Sequence, residues 1–384
     1  MRKFIFALLV GALAFAAAGT GGASTASPNS AGSALVKCGK TRTLGLLAPI
    51  TGPAASLGQE QVHWFKYYIS RYNKTHKKTK FRAAYGDTIL AGPGGTAEAV
   101  KAAQTLASNS KILAVVGPAG SNEVKATTPT IKNAGLGFVS GSATNTTLTT
   151  DGTRTGFFFR TVPPDSVQGA AVSNFIIKRL KLKRVYIIDD QEAYSTGLAD
   201  IVQSKLRAAG VTVGRDGVSQ QESDFSSLIA KIARNTQLVY LPWQVAAKAK
   251  AFADQMRSAG RGGIRLMGSD GLFDPAFAAV KGAYDSFFPV NAKDKTVLAY
   301  QRSHGGNGEY FGAPSYVAAQ VIGRAVDRAC KNGTASRAEV RTQIRRTRMG
   351  VSLLGIPVRF KANGDIRGGT FGIYQSNGTE FKPI

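Results

Sequence analysis

Two neighbouring segments of the chain end in the same way, and this repetition constrains the fold more than any other feature. Apolar runs at Ile112–Val116 and Leu136–Ser140 are each followed by a loop of small and polar residues, Gly117–Asn122 and Gly141–Thr147. Short apolar runs bounded by glycine are typical of buried parallel strands. Because open α/β sheets bind ligands beyond such strand ends, the loops form a candidate anion cradle, although ordinary strand-to-helix turns favour the same residues.

The same alternation of strand and helix patterns continues through most of the 384 residues. The segment between the two runs can form a helix, and alternation of this kind predicts an α/β fold with helices on both faces of parallel sheets. Predicted strands lie at 43–48, 81–85, 112–116, 136–140, 185–189, 212–217, 238–241, 265–268, 358–360 and 370–374. Predicted helices lie at 59–74, 96–108, 168–180, 196–209, 225–234, 246–259, 292–304 and 315–331.

Two breaks in the alternation divide the chain into two lobes. Pro163 and Pro164 can continue neither a sheet nor a helix interior, so the segment around them predicts a crossover into a second lobe. Tyr284–Val290 has the pattern of a return crossover. We therefore expect two doubly wound parallel-sheet lobes, the first from residues 41–162 and 290–348, the second from residues 163–289 and 349–384.

The N-terminus has the pattern of an export signal. Residues 1–18 combine a basic start, a short apolar centre and small residues at a cleavage zone, which predicts a signal peptide. Residues 19–40 are rich in Gly, Ser and Ala and predict a flexible tether. No cysteine lies near the apolar run, so we expect an exported protein, periplasmic or at the cell surface, without a cysteine lipid anchor.

Charge and motif content bear on the classes of partner and chemistry. The formal net charge is +26, but the basic residues form separate clusters at 74–80, 178–184 and 337–348, without a basic stripe interleaved with aromatics. Attraction to an anionic cell envelope or a bland solvated surface fits this pattern better than nucleic acid. No phosphate loop, HExxH motif or nucleophile–base grouping occurs in the sequence. We therefore expect a protein that is not an enzyme and has no catalytic residues, cofactor or metal.

The chain contains two cysteines, Cys38 and Cys330. An even count in an exported chain favours a disulfide, while two separate buried thiols remain the alternative. Cys38 precedes the first strand and Cys330 ends a predicted helix, so both can lie at one edge of the first lobe. We predict a disulfide between them.

Several short motifs follow one another in an order that is hard to obtain by chance. They are Leu44–Pro53 with Gly58, Val115–Gly117 with Ser121, Ser142–Thr144 with Leu148 and Thr149, Phe159–Thr161 with Asp165, Gln168 and Gly169, Asp189 with Tyr194 and Gly197, Asp224 with Phe225, and Gly268–Gly271. With them, residues 41–384 resemble the class I periplasmic-type substrate-binding proteins of ABC transporters, in the branched-chain amino-acid branch (Leu/Ile/Val-binding proteins). The resemblance implies two lobes joined by three hinge crossovers, with a ligand in the cleft.

The resemblance also implies a role for individual residues. Ser121 and Thr144, with the backbone N–H groups of Ser142 and Ala143, would hold a ligand α-carboxylate. Asp270, in the opposite lobe, would accept hydrogen bonds from the α-ammonium. The alternative is that Asp270 caps a helix or turn.

Three further positions would shape the side-chain pocket. These positions depart from the family pattern. They are Leu57 in the first loop, and Trp243 and Gln244 after a second-lobe strand. Tyr194 would line the cleft beside Asp270, unless it serves packing alone.

The expected function is capture of a small polar solute, most simply a branched-chain amino acid, and its delivery to a membrane permease by a monomeric protein. The same fold can instead bind an amide, urea or an aromatic acid. An extracellular ligand-sensing domain is a further alternative, and a secreted enzyme would need catalytic groups that the sequence lacks.

Overall fold

The computed structural model describes residues 34–92, 95–304 and 310–384. The predicted signal peptide at 1–18 therefore lies outside the described residues. Of the predicted tether, residues 36–38 are held in place: strand β1 (Val36–Lys37) pairs antiparallel with β12 (Thr334–Ala335). Part of the predicted tether thus belongs to the first lobe, which the sequence pattern had expected to begin at residue 41.

The first lobe is built on a five-stranded parallel sheet in the order β3-β2-β4-β5-β6. Its strands are β2 (Thr41–Ala48), β3 (Lys80–Asp87), β4 (Ile112–Val116), β5 (Gly137–Ser140) and β6 (Phe158–Arg160). All residues of β4 and β5 are buried because helices cover both faces of the sheet. The two strands that the opening sequence pattern predicted therefore lie side by side, with their loops at one edge.

The helices of the first lobe come from both ends of the chain. They are α1 (Ala55–Thr75), α2 (Ala97–Ser108), α3 (Ser121–Asn133), α4 (Thr147–Thr150), α10 (Lys295–His304), α11 (Gly312–Ala329) and α12 (Arg337–Arg345). Gly58 lets α1 approach the preceding loop, since a Cβ there would lie 1.9 Å from the Pro49 carbonyl oxygen. This close approach explains why the opening motif has glycine at position 58.

The second lobe contains a seven-stranded sheet in the order β16-β15-β11-β10-β9-β7-β8. Its strands are β7 (Arg184–Asp189), β8 (Thr212–Gly217), β9 (Leu238–Leu241), β10 (Arg265–Gly268), β11 (Tyr284–Phe287), β15 (Gly372–Ser376) and β16 (Phe381–Pro383). Strands β15 and β16 join it antiparallel, and the other five are parallel. The α/β fold of two lobes with parallel sheets is confirmed, with an antiparallel edge that was not predicted.

Among the described residues, the second lobe contains five α-helices. They are α5 (Asp165–Asn174), α6 (Ala193–Ala208), α7 (Ser226–Lys231), α8 (Ala246–Ser258) and α9 (Pro275–Ala278). Helix α5 continues as a π-helical turn at Phe175–Arg179. The predicted helix over 168–180 is therefore α-helical in its first part and π-helical in its second. The short α9 starts after Asp274, whose carboxylate accepts the Ala276 N–H at 2.7 Å.

The chain passes between the lobes three times, after β6, after β11 and before β15. The first and third passages are joined by Arg160 and Asp365, whose charged groups lie 2.7 Å apart with Arg160 fully buried. Hairpin strands β13 (Arg348–Val351) and β14 (Pro357–Arg359) precede the third passage. Met349, Val358 and Ile366 pack in the first-lobe core. The predicted boundary, which assigned residues 349–384 to the second lobe, therefore does not match the packing.

Helix α12 corrects the interpretation of residues 337–348 as a solvated basic cluster. Ser336 and Glu339 form a reciprocal cap at its start. Arg337 is 8% exposed and donates to the carbonyl oxygens of Ile112 and Ala134 at 3.0 and 2.9 Å. At least one charge of this cluster therefore serves to join helix and sheet.

The predicted disulfide is confirmed. Cys38 and Cys330 are bonded, with their Cα atoms 5.8 Å apart, and join the start of the first lobe to the end of α11. Among the residues described, no helix is both long and apolar enough to cross a bilayer.

Candidate functional site

The first-lobe face of the cleft lies at the ends of β4 and β5. Ser121 is the first residue of α3 and Thr144 follows β5, and each is 1% exposed. Ser121 Oγ accepts the Asn145 N–H at 3.1 Å, which leaves its own hydroxyl proton for another acceptor. The structure thus brings together the two hydroxyls that the sequence predicted as carboxylate donors.

Ser142 and Ala143 have partners that sequence reasoning did not identify. Their N–H groups lie 3.3 and 3.0 Å from Ser140 Oγ and donate to it. The Ser142 hydroxyl donates to the Ala119 carbonyl at 2.9 Å and accepts from Gln61 Nε2 at 2.9 Å. Ser140 and Gln61 therefore hold the second loop in shape, and a ligand carboxylate would share the two N–H groups with Ser140.

The second-lobe face is organised around Asp270, which follows β10 and is 3% exposed. Its Oδ1 accepts from Tyr194 at 2.6 Å and from Gln168 Nε2 at 2.7 Å. The Tyr194 hydroxyl also lies 2.7 Å from Ser269 Oγ. Tyr194 and Asp270 are together, as predicted, and the structure adds Gln168 as a second residue that orients the carboxylate.

Two further buried carboxyl groups surround this aspartate. Asp165 begins α5 and Asp285 lies on β11, and both have no exposed surface. Burial, and then the charge of Asp270, raise the pKa of Asp165 to about 8 and the pKa of Asp285 well above its usual value. Burial raises the pKa of Asp270 itself to about 6. A cation placed here would relieve this cost, because it favours the ionised carboxylates.

Two buried side-chain amides, one in each lobe, have an acceptor oxygen without a donor. In the described part of the chain, Gln61 Oε1 and Gln168 Oε1 are buried and have no hydrogen-bond partner. Buried polar atoms in native proteins are almost always paired, and the described residues supply no donor for these two oxygens. Gln168 belongs to a motif that the sequence analysis quoted, whereas Gln61 had no signal beyond its place on a helix.

The three predicted pocket-shaping residues separate into two groups. Leu57 and Gln244 line a cleft cavity of about 240 Å³ together with Phe273 and Phe311. Trp243 is instead packed between Phe225 and Phe252 in the second-lobe core, and its indole N–H donates to the Ile188 carbonyl at 2.7 Å. These two neighbours in the sequence therefore face opposite sides.

The lobes touch each other beside the cleft. Asn122 Nδ2 donates to Glu192 Oε2 at 2.9 Å, and Asn145 Nδ2 donates to the Ala193 carbonyl at 2.5 Å. Val245 of the second lobe packs against a small apolar cluster of the first lobe that includes Leu90. These contacts describe a closed cleft.

The site has the chemistry of a binding cleft. It offers hydroxyl donors on one face and a carboxylate acceptor on the other. No group of three His, Cys, Asp or Glu side chains among the described residues is arranged to hold a metal ion.

Comparison with known proteins identifies the family of this chain. A model of the family described as periplasmic binding protein matches residues 41–378. A Leu/Ile/Val-binding protein homolog of Brucella melitensis is 27% identical over 75% of this chain and 79% of its own length. A leucine-, isoleucine-, valine-, threonine- and alanine-binding protein of Pseudomonas aeruginosa is 26% identical, with the same two coverages.

Solved structures share the fold. A leucine-binding protein of Thermotoga maritima superposes with a TM-score of 0.78 at 24% identity, over 89% of this chain and 97% of that protein. A solute-binding protein of R. palustris in complex with benzoate gives 0.78 at 18% identity, over 90% and 95%. These relatives are binding proteins and not enzymes, in agreement with the sequence-based expectation. The chain belongs to the periplasmic binding protein family.

Proposed function

We propose that this protein captures a branched-chain α-amino acid in the cleft and delivers it to the permease of an ABC importer. The observation that carries this proposal is the opposite polarity of the two cleft faces. Ser121 and Thr144 offer hydroxyl donors on the first lobe, and Asp270 with Gln168 Oε1 offers acceptors on the second. A zwitterion needs both kinds of group once water is excluded.

The side chain of the ligand would extend into the cleft cavity. Its walls combine apolar groups of Leu57, Phe273 and Phe311 with the amide of Gln244. An aliphatic side chain suits the apolar walls through burial of its surface. The names of the relatives from Brucella and Pseudomonas support the same ligand class.

The cross-lobe contacts support a mechanism of capture by closure. A ligand that touches both lobes stabilises the closed state alone, and the closed state then differs in shape from the empty open protein. A permease can recognise this difference. We propose that the protein acts as an exported monomer, following the predicted signal peptide.

A thermal-shift and calorimetric screen tests the ligand class. Leucine, isoleucine and valine should raise the melting temperature by mass action, whereas benzoate, acetamide and urea should not. Benzoate carries no cation for Asp270, and urea carries no carboxylate for Ser121 and Thr144. A shift with benzoate alone, or with none of these solutes, would reject the amino-acid proposal.

Delivery and oligomeric state need separate measurements. Uptake of labelled leucine by vesicles that hold the cognate permease should require the added binding protein. Sedimentation should give the mass of one chain with and without leucine. Binding without stimulated uptake would reject the transport role and keep the ligand assignment.

A further inference from the structure

One glycine of the second lobe, Gly197 on helix α6, lies directly against the first lobe. A Cβ placed on Gly197 would lie 2.4 Å from Asn145 Nδ2, and the three atoms nearest to it all belong to the Asn145 side chain. Asn145 is part of the first lobe, in the loop between β5 and α4. The obstacle to a side chain at position 197 thus comes from the opposite lobe, and it disappears when the two lobes separate.

The Asn145 side chain is held in place and has little room to move aside. Its Oδ1 accepts the Thr147 N–H at 2.8 Å and the Thr147 hydroxyl at 2.7 Å. Its Nδ2 donates to the Ala193 carbonyl oxygen of the second lobe at 2.5 Å. The residue is only 3% exposed. A methyl group at position 197 would therefore have to displace a buried amide and break its hydrogen bonds, which costs free energy.

Within helix α6 alone, glycine is not the favourable residue at this position. Gly197 lies in the interior of α6 (Ala193–Ala208), and its φ is negative, as in any helix. Glycine in a helix interior destabilises the helix relative to alanine, because glycine loses more backbone freedom on folding. The close approach of Asn145 is the contact that accounts for a glycine here.

The same loop and the same helix carry the residues proposed to hold the ligand. Thr144 directly precedes Asn145 in the loop after β5. Tyr194, which donates to Asp270 at 2.6 Å, lies three positions before Gly197 and therefore on the same face of α6. The contact between Asn145 and α6 is thus adjacent to the ligand contacts in both lobes.

We propose that Gly197 and Asn145 form a closure contact that sets the ligand affinity: the missing side chain at position 197 lets the Asn145 amide reach helix α6, and only the closed state needs this space. The inference rests on the proposed function, because it concerns closure around the same ligand. A side chain at position 197 leaves the open state unchanged and penalises the closed state, so it weakens binding without touching the ligand.

Gly197→Ala tests the proposal because its two expected effects have opposite signs. Without ligand, the variant should melt about 2 °C above the native chain, since alanine favours the helix. Leucine affinity, measured by calorimetric titration, should fall about tenfold, as expected for the loss of one or two hydrogen bonds. Saturating leucine should also reduce the radius of gyration, measured by X-ray scattering, less than it does in the native chain. A purely structural role for Gly197 would change stability and affinity in the same direction.

Two further variants serve as control and rescue. Gly263→Ala makes the same change at an exposed position of the second lobe where a Cβ would meet no atom within 4 Å, and it should leave leucine affinity unchanged. Asn145→Ala removes the three atoms that the new methyl group would meet. Adding Gly197→Ala to Asn145→Ala should therefore cause no further loss of affinity.

The possible failures can be told apart. Equal leucine affinity of the native and Gly197→Ala chains would overturn this inference and leave the proposed function intact. A further loss of about tenfold in the Asn145→Ala background would also overturn it, because the methyl group would then act through another contact. A native chain that does not bind leucine would reject the proposed function, and this inference with it.

Discussion

The two faces of the cleft are built in the same way and carry opposite chemistry. Each is formed where parallel strands end at one edge of a sheet. The first-lobe face presents the hydroxyls of Ser121 and Thr144, whereas the second-lobe face holds Asp270 with two more buried carboxyls beside it. The comparison teaches that the fold provides the place of a site, and that the few residues after each strand decide which end of a ligand it holds.

The largest expected effect is a loss of stability on removal of the disulfide, which lies outside both cleft faces. It tests whether this edge of the first lobe contributes to ligand binding. Replacing Cys38 and Cys330 by alanine should lower the free energy of unfolding by up to about 5 kcal/mol, because the bond closes a loop with a sequence separation of 292 residues. Denaturant unfolding measures this loss. Leucine affinity should stay within twofold, and reductant should have no further effect on the double variant. A large loss of affinity would show that this edge shapes the cleft.

Asp270→Ala should weaken leucine binding by about 3–5 kcal/mol, because the ligand ammonium would be buried without its partner. Calorimetric titration measures the change. Asp254→Ala is the matched control, since Asp254 lies on the surface of the same lobe and pairs with Lys250 at 2.6 Å. Unchanged affinity in the Asp270 variant would mean that no ammonium lies at this face.

The first-lobe face should contribute less for each residue. Ser121→Ala and Thr144→Val should each cost about 1–3 kcal/mol of leucine affinity, the range for one hydrogen bond to a charged group. Thr150→Val, at an exposed position of α4, is the control. If either variant costs more than Asp270→Ala, the first-lobe face dominates, and the proposed division of roles is wrong.

The smallest expected effect is a pH dependence that originates at the acidic face. Below its pKa of about 6, Asp270 takes up a proton and no longer balances the ammonium. Leucine affinity should therefore fall by about tenfold per pH unit below pH 6. Titrations from pH 8 to pH 5 measure this trend, and Asp270→Asn should remove it. A flat profile in the native protein would place the ammonium elsewhere.

The stability of the unliganded protein should change in the opposite direction. The pKa of Asp270 is raised from 3.8 to about 6, so the folded state binds a proton that the unfolded state has lost. The free energy of unfolding contributed by this group is greatest below pH 3.8 and is lost as pH rises toward 6. Comparing the native chain with Asp270→Asn in denaturant over this window isolates the contribution.

Much of the framework could be predicted from the sequence because it depends on local patterns. Strands β4, β8, β9 and β10 have the predicted bounds. Helix α12 was missed because its charges resemble a solvated surface, although its Ser336 cap was a readable signal. The resemblance implied one cleft for Ser121, Thr144, Tyr194 and Asp270. The structure brings the Ser121 hydroxyl to the N–H of Asn145, next to Thr144, and the Tyr194 hydroxyl to Asp270.

Tertiary structure decided which groups these residues meet. No sequence pattern indicates that Ser140 binds the N–H groups of the second loop, or that Gln61 reaches Ser142 across 81 positions. The direction of a side chain after a strand also depends on packing, which is why Gln244 faces the cleft and Trp243 the core. The sequence by itself thus determined the α/β framework and the strand ends that carry the site. The meeting of distant segments then decided the burial of Asp165, Asp270 and Asp285, because desolvation depends on everything that surrounds a charge.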